Sequence, residues 1–290
     1  MVPKINLIQA KTILTKSGLP GSDWVINPYN GCLFACMYCY AAQIAGWRHP
    51  DEVWGTYLDV KVNAPELLKT ELEKLERKFK SKYFGSIFFS SVTDPYVGLE
   101  VKYRLTRKCL EVLADFDYRG SIAIQTKSPL VTRDIDILKK LKQVEVGFTV
   151  TTLDDKVARF LETKAPPISL RINALKKLHE SGISTYAFIG PLLPHFTSDK
   201  VKINQLLDKL QKAGVKEVWF EHINLNPRIK DRLYRLLRKV APNLIPEFDG
   251  ANTESFRQEL EVVIAKALKG RNLKMGLGKV IHHRDLPKKK

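Results

Sequence analysis

The chain has 290 residues, a formal charge of +17 and only four cysteines. That length can bury a large α/β core, no apolar run approaches membrane-spanning length, and so sparse a cysteine content argues against a disulfide framework. The excess of Lys and Arg over Asp and Glu, 48 against 31, suits a polyanionic partner such as DNA or RNA, although Lys- and Glu-rich helix faces are also ordinary solvated surface.

Residues 1–15 alternate apolar residues with lysines and contain no apolar stretch of a secretory signal, so a reducing cytoplasm is the expected compartment. A first strand is expected over 24–28. It leads into a loop carrying Cys32, Cys36 and Cys39, spaced by three and then two residues. Three thiolates on one short loop can each hold one iron of a cubane iron–sulfur cluster, and no neighbouring cysteine supplies a fourth ligand, so one iron stays open to a small molecule. Zinc is the alternative, but a structural zinc site takes four ligands, usually as two spaced pairs, and the nearest candidate, His49, stands at no such spacing.

Beyond the loop, short β-branched and aromatic runs alternate with stretches of helical period. Strands are expected over 86–91, 121–126, 145–151, 184–189 and 217–223, mostly as the continuous apolar runs of buried parallel strands. Between them, Leu68, Leu72, Leu75 and Phe79 recur at helical spacing, followed by Leu105, Cys109 and Val112, by Ile172, Leu175 and Leu178, and by Ile203, Leu206, Leu207 and Leu210. Leu233, Leu236, Leu237 and Val240 continue the pattern, and Phe256, Leu260, Val263 and Ile264 close it. With the first strand these runs make six βα units, the pattern of an α/β fold built as an incomplete (β/α)6 TIM-like barrel; periodicity alone leaves an open doubly wound sheet equally allowed. No linker or low-complexity tract divides the chain, so one domain over 1–290 is expected, with a core over about 20–270 and a fraying basic tail at 284–290. Gly276-Leu277-Gly278 has no preceding strand and no third glycine, which excludes a phosphate-binding loop.

In a barrel, Thr93 and Asp94, Lys127, and Thr151 and Thr152 all end strands on the rim that carries the cysteines. Local roles compete with a functional one. Thr93-Asp94-Pro95 also reads as a turn with Asp94 capping its own backbone, Glu100 and Arg107 as a structural ion pair, and Cys109 as a small buried hydrophobe. His195 and His222, after the fifth and sixth strands, could touch substrate but read first as surface-loop histidines, since a lone histidine carries little information.

The cysteine triplet with Tyr38 just before its last member resembles the signature of radical S-adenosylmethionine (radical SAM) enzymes. That resemblance implies a [4Fe–4S] cluster on Cys32, Cys36 and Cys39, with the amine and carboxylate of S-adenosylmethionine on the open iron. From about 27 to 194 the chain further resembles the spore photoproduct lyase-like branch. The matching blocks are Asn27-Pro28-Tyr29-Asn30-Gly31, Thr93-Asp94-Pro95-Tyr96 with Glu100, Leu105-Thr106-Arg107, Thr126-Lys127-Ser128, Arg133-Asp134-Ile135-Asp136, and Arg171 after Ala165-Pro166-Pro167. The likeness implies that Lys127 meets the methionine carboxylate, Thr151 the ribose or carboxylate, and Thr93 and Asp94 a polar edge of the cofactor. Arg171 would add a bidentate carboxylate contact. Tyr38 and Tyr40 would pack on adenine or relay a hydrogen atom. The cysteine that donates hydrogen in spore photoproduct lyase falls at Val92, which has no thiol. The expected activity is reductive cleavage of S-adenosylmethionine and hydrogen abstraction from an unidentified substrate, with nucleic acid a candidate and ferredoxin or flavodoxin as electron donor. The alternative is a non-catalytic, metal-stabilised nucleic-acid-binding protein; oligomeric state is left open.

Overall fold

Each expected strand is short, apolar and followed by an amphipathic helix, and the tertiary structure lays these units side by side. The structure is a computed structural model that describes residues 2–45 and 48–282; the basic tail at 284–290 lies outside the described residues. The strands are β1 (Lys4–Ile8), β2 (Leu14–Lys16), β3 (Trp24–Ile26), β4 (Tyr29–Asn30), β5 (Tyr57–Lys61), β6 (Ile87–Phe89), β7 (Ile122–Thr126), β8 (Val144–Thr149), β9 (Ser184–Leu192), β10 (Glu217–His222) and β11 (Lys274–Met275). Eight form one sheet in the order β11-β10-β9-β8-β7-β6-β3-β2, and β1, β5 and β4 form a small second sheet.

The six expected strands are β3 and β6 to β10, parallel neighbours in chain order, with Ile26 opposite Phe89, Phe89 opposite Ile124 and Thr126 opposite Phe148. At one edge β2 adds antiparallel to β3, at the other β11 adds parallel to β10, and the two edges do not pair with each other, so the barrel stays open. The structure thereby selects the incomplete barrel over the doubly wound sheet. Strands β1, β2, β4, β5 and β11 were not expected: each has only two to five residues, too short for a periodic signal.

Burial alternates along β6, β7 and β10. In β7, Ile122, Ile124 and Thr126 are buried beneath the helices, while Ala123 and Gln125 face the lumen. The helices Ala64–Phe79, Leu105–Asp115, Ile168–Glu180, Lys200–Lys212 and Glu254–Leu268 pack their apolar stripes on the outside of the sheet, and the main core sits in that layer. Cys109 belongs to it, fully buried with Leu110 and Leu113. The lumen is left hollow, and its upper end is the rim where the strands end. Among the described residues no helix is long and apolar enough to cross a membrane.

Candidate active site

The cysteine loop follows β4 and is pinned from three sides. Gly31 sits at φ +79, and a Cβ there would come within 2.8 Å of the Tyr57 carbonyl oxygen, so only glycine fits the entry to the loop. From the side, Met37 N donates to Leu161 O at 2.8 Å and Lys164 N to Phe34 O at 3.1 Å. From the far side, Arg232 donates Nε to Met37 O at 2.8 Å and Nη2 to Cys39 O at 2.7 Å. Cys32 and Cys36 are buried and Cys39 is half-buried.

All three sulfurs face one cavity of about 570 Å³, which runs from the rim down the lumen past Gln125, Phe188 and Trp219. Burial pushes the Cys36 thiol up to about 12 against the pull of Lys127, and burial raises Cys32 and Cys39 as well. Thiols in such surroundings shed their protons only to a bound cation, and soft thiolates suit iron and sulfide. Among the described residues no three Cys, His, Asp or Glu side chains converge as ligands of a single ion. A cubane asks something different, one thiolate per iron, and three cysteines on one cavity wall fit it.

The expected site residues divide into two groups. Thr93, Asp94, Lys127 and Tyr40 line the cavity with the cysteines. Asp94 is committed to the protein: its carboxylate accepts from Tyr96 N at 2.9 Å, Thr126 Oγ1 at 2.6 Å and Lys127 N at 2.8 Å. It therefore makes the turn that its local reading suggested and also fixes the backbone of Lys127. Thr93 donates its hydroxyl to Gly31 O, and Tyr40 donates its own to Ser91 O. Burial works against the charge of Lys127, yet Cys36 and Glu162 face the ammonium and hold its pKa above the usual lysine value. Its Nζ lies 5.7 Å from the centroid of the Tyr38 ring.

Tyr38, Thr151 and Arg171 gather instead behind that wall, around a residue the sequence did not single out. Glu162 is 1 % exposed and accepts from Tyr38 Oη, from Arg171 Nη2 and, at 3.5 Å, from Thr151 Oγ1. Burial alone would raise its carboxyl; Arg171 and Lys127 outweigh that and hold it below the usual range. Arg171, itself 1 % exposed, also donates to Thr149 O at 2.9 Å and twice to Pro166 O, so its guanidinium serves the protein and not the cavity. In sequence the nearest pointer to Glu162 is Arg171 nine residues on, since its partner Tyr38 lies 124 residues away.

Other expectations shift in detail. Glu100 pairs with Arg133 at 3.2 Å, whereas Arg107 pairs with Asp134 at 3.0 Å and Asp136 at 2.6 Å, so neighbouring pairs replace the expected Glu100–Arg107 pair. His222 is no surface histidine: it is 2 % exposed and meets Glu261 at 2.9 Å, behind β10. His195 is half-buried against Phe196 and lies off the cavity. Trp54 and Ser90, on the cavity wall, and Arg232, bonded to the cysteine loop, carried no motif either.

The description "Radical SAM superfamily" matches residues 26–207, more than half of the chain. The chain belongs to the radical SAM superfamily. As a radical SAM enzyme it uses a [4Fe–4S] cluster and S-adenosylmethionine and requires an electron donor, which displaces the non-catalytic alternative. The uncharacterized protein MJ0683 of Methanocaldococcus jannaschii is 36% identical over 222 residues, 77% of this chain and 78% of that protein. The radical SAM Nalpha-GlyT isomerase of Pseudomonas phage M6 is 25% identical over 72% of this chain and 42% of its own length. A structure of spore photoproduct lyase complexed with dinucleoside spore photoproduct shares the fold at a TM-score of 0.73 with 17% identity, covering 93% of this chain and 81% of that one.

Proposed function

We propose that this radical SAM enzyme acts on a nucleotide unit of a nucleic acid, drawn into the lumen beneath the three cysteines. When bound, the cluster and S-adenosylmethionine supply a 5′-deoxyadenosyl radical for hydrogen abstraction. The chain's own residues bind, orient and shield. Lys127 offers its ammonium to the methionine carboxylate, and Asp94 with Thr126 holds it in that direction. Glu162, fixed by Arg171 and Tyr38, keeps a negative charge opposite Lys127, so the ammonium stays protonated. The lumen walls of Phe188, Trp219 and Gln125 exclude bulk water and present two aromatic faces and one amide to a planar base.

The observation that carries this reading is the continuity of one cavity from the cysteine sulfurs and Lys127 to that aromatic lumen. Support for a polyanion comes from the helix Pro227–Val240, which carries Arg228, Lys230, Arg232, Arg235, Arg238 and Lys239 against a single acid, Asp231, and whose cap Asn226 lines the mouth. Spore photoproduct lyase, of the same fold, was solved with a dinucleoside in place. Val92 supplies no thiol hydrogen, and we assign the relay to Tyr40, whose hydroxyl already meets the carbonyl of the adjoining Ser91.

Anaerobic reconstitution followed by dithionite and S-adenosylmethionine should yield 5′-deoxyadenosine, and Cys36→Ala should yield none. Equal output from the two proteins would overturn the reaction. Deuterium from labelled DNA or RNA should appear in the 5′-deoxyadenosine; transfer from peptides but not from either polymer would overturn the substrate.

A further inference from the structure

Trp54 belongs to none of the roles above, yet it stands on the cavity wall with Cys32, Cys36 and Cys39 and packs into the same apolar cluster as those residues. Its position is tightly set. The next residue, Gly55, takes φ +93 and approaches Ala35 of the cysteine loop so closely that a Cβ would lie 2.3 Å from the Ala35 Cβ. Lys164, two residues beyond Glu162, donates its ammonium to Gly55 O at 3.1 Å and ties the segment to the other side of the loop. On its outer face the indole makes an edge contact with Tyr57, ring centroids 6.3 Å apart.

The indole Nε1 of Trp54 is buried and has no hydrogen-bond partner among the described residues. Folded proteins seldom leave such a donor unpaired, and Trp24 in this same chain follows the rule by donating to Phe84 O at 2.9 Å. Gln43 and Ser90 also carry unpartnered buried atoms on this wall. The Ser90 hydroxyl can both donate and accept, and the Gln43 amide sits on a long side chain with several rotatable bonds, so neither specifies a ligand as closely. An indole only donates, and a ring wedged between Tyr57 and the cysteine loop can aim in few directions. The other members of its apolar cluster that line the cavity are Cys32, Phe34, Cys36 and Cys39, none of which has a side-chain oxygen. An acceptor for the indole would arrive with what the cysteines hold.

We propose that the Trp54 indole N–H donates a hydrogen bond to a sulfur of the cluster held by Cys32, Cys36 and Cys39, either an inorganic sulfide or a cysteine thiolate, and so raises its reduction potential. Hydrogen bonds to sulfur are one of the protein's levers on such potentials. The reduced cluster carries one more negative charge than the oxidised one, so a donor stabilises it more. The inference rests on the assignment of the three cysteines to a cluster, and its test separates the two.

Wild type and Trp54→Phe, which keeps an aromatic ring but no donor, are reconstituted and assayed for iron and sulfide. A wild type without both would defeat the cysteine assignment and the inference together. With clusters present, a redox titration followed by electron paramagnetic resonance should place the midpoint of Trp54→Phe below that of wild type by a tenfold change in the equilibrium, about 59 mV for one electron. Equal midpoints would overturn the Trp54 role and leave the cluster standing. So would an unchanged midpoint with a raised Kd for S-adenosylmethionine, which would assign the donor to the cofactor instead. Should the variant fail to hold a cluster, wild type labelled with indole 15N decides alone. Electron–nuclear double resonance of its reduced cluster should show a nitrogen coupling, and a spectrum without one refutes the bond.

Discussion

Lys127 faces the cysteine sulfurs because of bonds that begin two strands' loops away: Asp94 accepts from both Thr126 Oγ1 and Lys127 N, so the end of β7 cannot turn without breaking the turn after β6. Removing the ammonium by Lys127→Met should weaken S-adenosylmethionine binding about tenfold, the equivalent of about 1.4 kcal/mol. Equilibrium dialysis against the reconstituted protein measures it, and an unchanged Kd would remove Lys127 from the cofactor. A second lysine carries a pH signature. Lys61, at the end of β5, is pushed down to about 8 from 10.5, by burial first and then by the nearby Arg48 charge. Between those two values the unfolded chain binds a proton that the folded chain does not, so this group makes stability rise with pH across that window. Below pH 8 the buried charge is a burden of at most about 3.5 kcal/mol at about 1.4 kcal/mol per pKa unit. Lys61→Met should therefore be more stable than wild type at pH 7, and the advantage should shrink toward pH 10.5 in urea unfolding.

At the scale of elements, the site is where four segments meet: the cysteine loop, the turn after β6, the segment around Glu162, and the helix Pro227–Val240. None of them is rigid alone. The loop takes its shape from close packing at Gly55, where a methyl group has no room and φ is left-handed, so Gly55→Ala should lower the iron content of reconstituted protein severalfold. Gly18→Ala, with nothing within 4 Å of its Cβ, should leave it unchanged and serves as the control. The helix Pro227–Val240 joins two tasks. Ile229, Leu233 and Leu237 are buried, Arg232 reaches the carbonyls of Met37 and Cys39, and Arg228, Arg238 and Lys239 are exposed. Changing those three exposed residues to Gln should weaken nucleic-acid binding and reduce the slope of log K against log salt by about 3 if each meets one phosphate. An unaltered slope would place the polymer elsewhere or deny it.

For the whole molecule, the formal charge of +17 sets a field and the open barrel sets where it can act. The six parallel strands were legible because each lies within a β-branched or aromatic run that alternates with stretches of helical period, and the cysteine loop because its three cysteines lie within eight residues of one another. Strands such as β2 and β11 were not. A three-residue or two-residue segment becomes a strand only when a neighbour offers the ladder, as β3 does for Leu14 and β10 for Met275. Arg171 shows the same divide in the site. Its charge and its place after Pro166 and Pro167 suggested a ligand contact, but folding brings Glu162 to it and closes the pair within the protein.

Sequence by itself determined the chemistry of the cysteine loop and the succession of βα units, because both are written in residues close along the chain: thiols on one loop, apolar runs alternating with stretches of helical period. Tertiary structure alone decided which side chains around the cysteines remain available to a ligand. That depends on hydrogen-bond partners drawn largely from other segments, Glu162 for Tyr38, Asp94 for Lys127, and none among the described residues for the indole of Trp54.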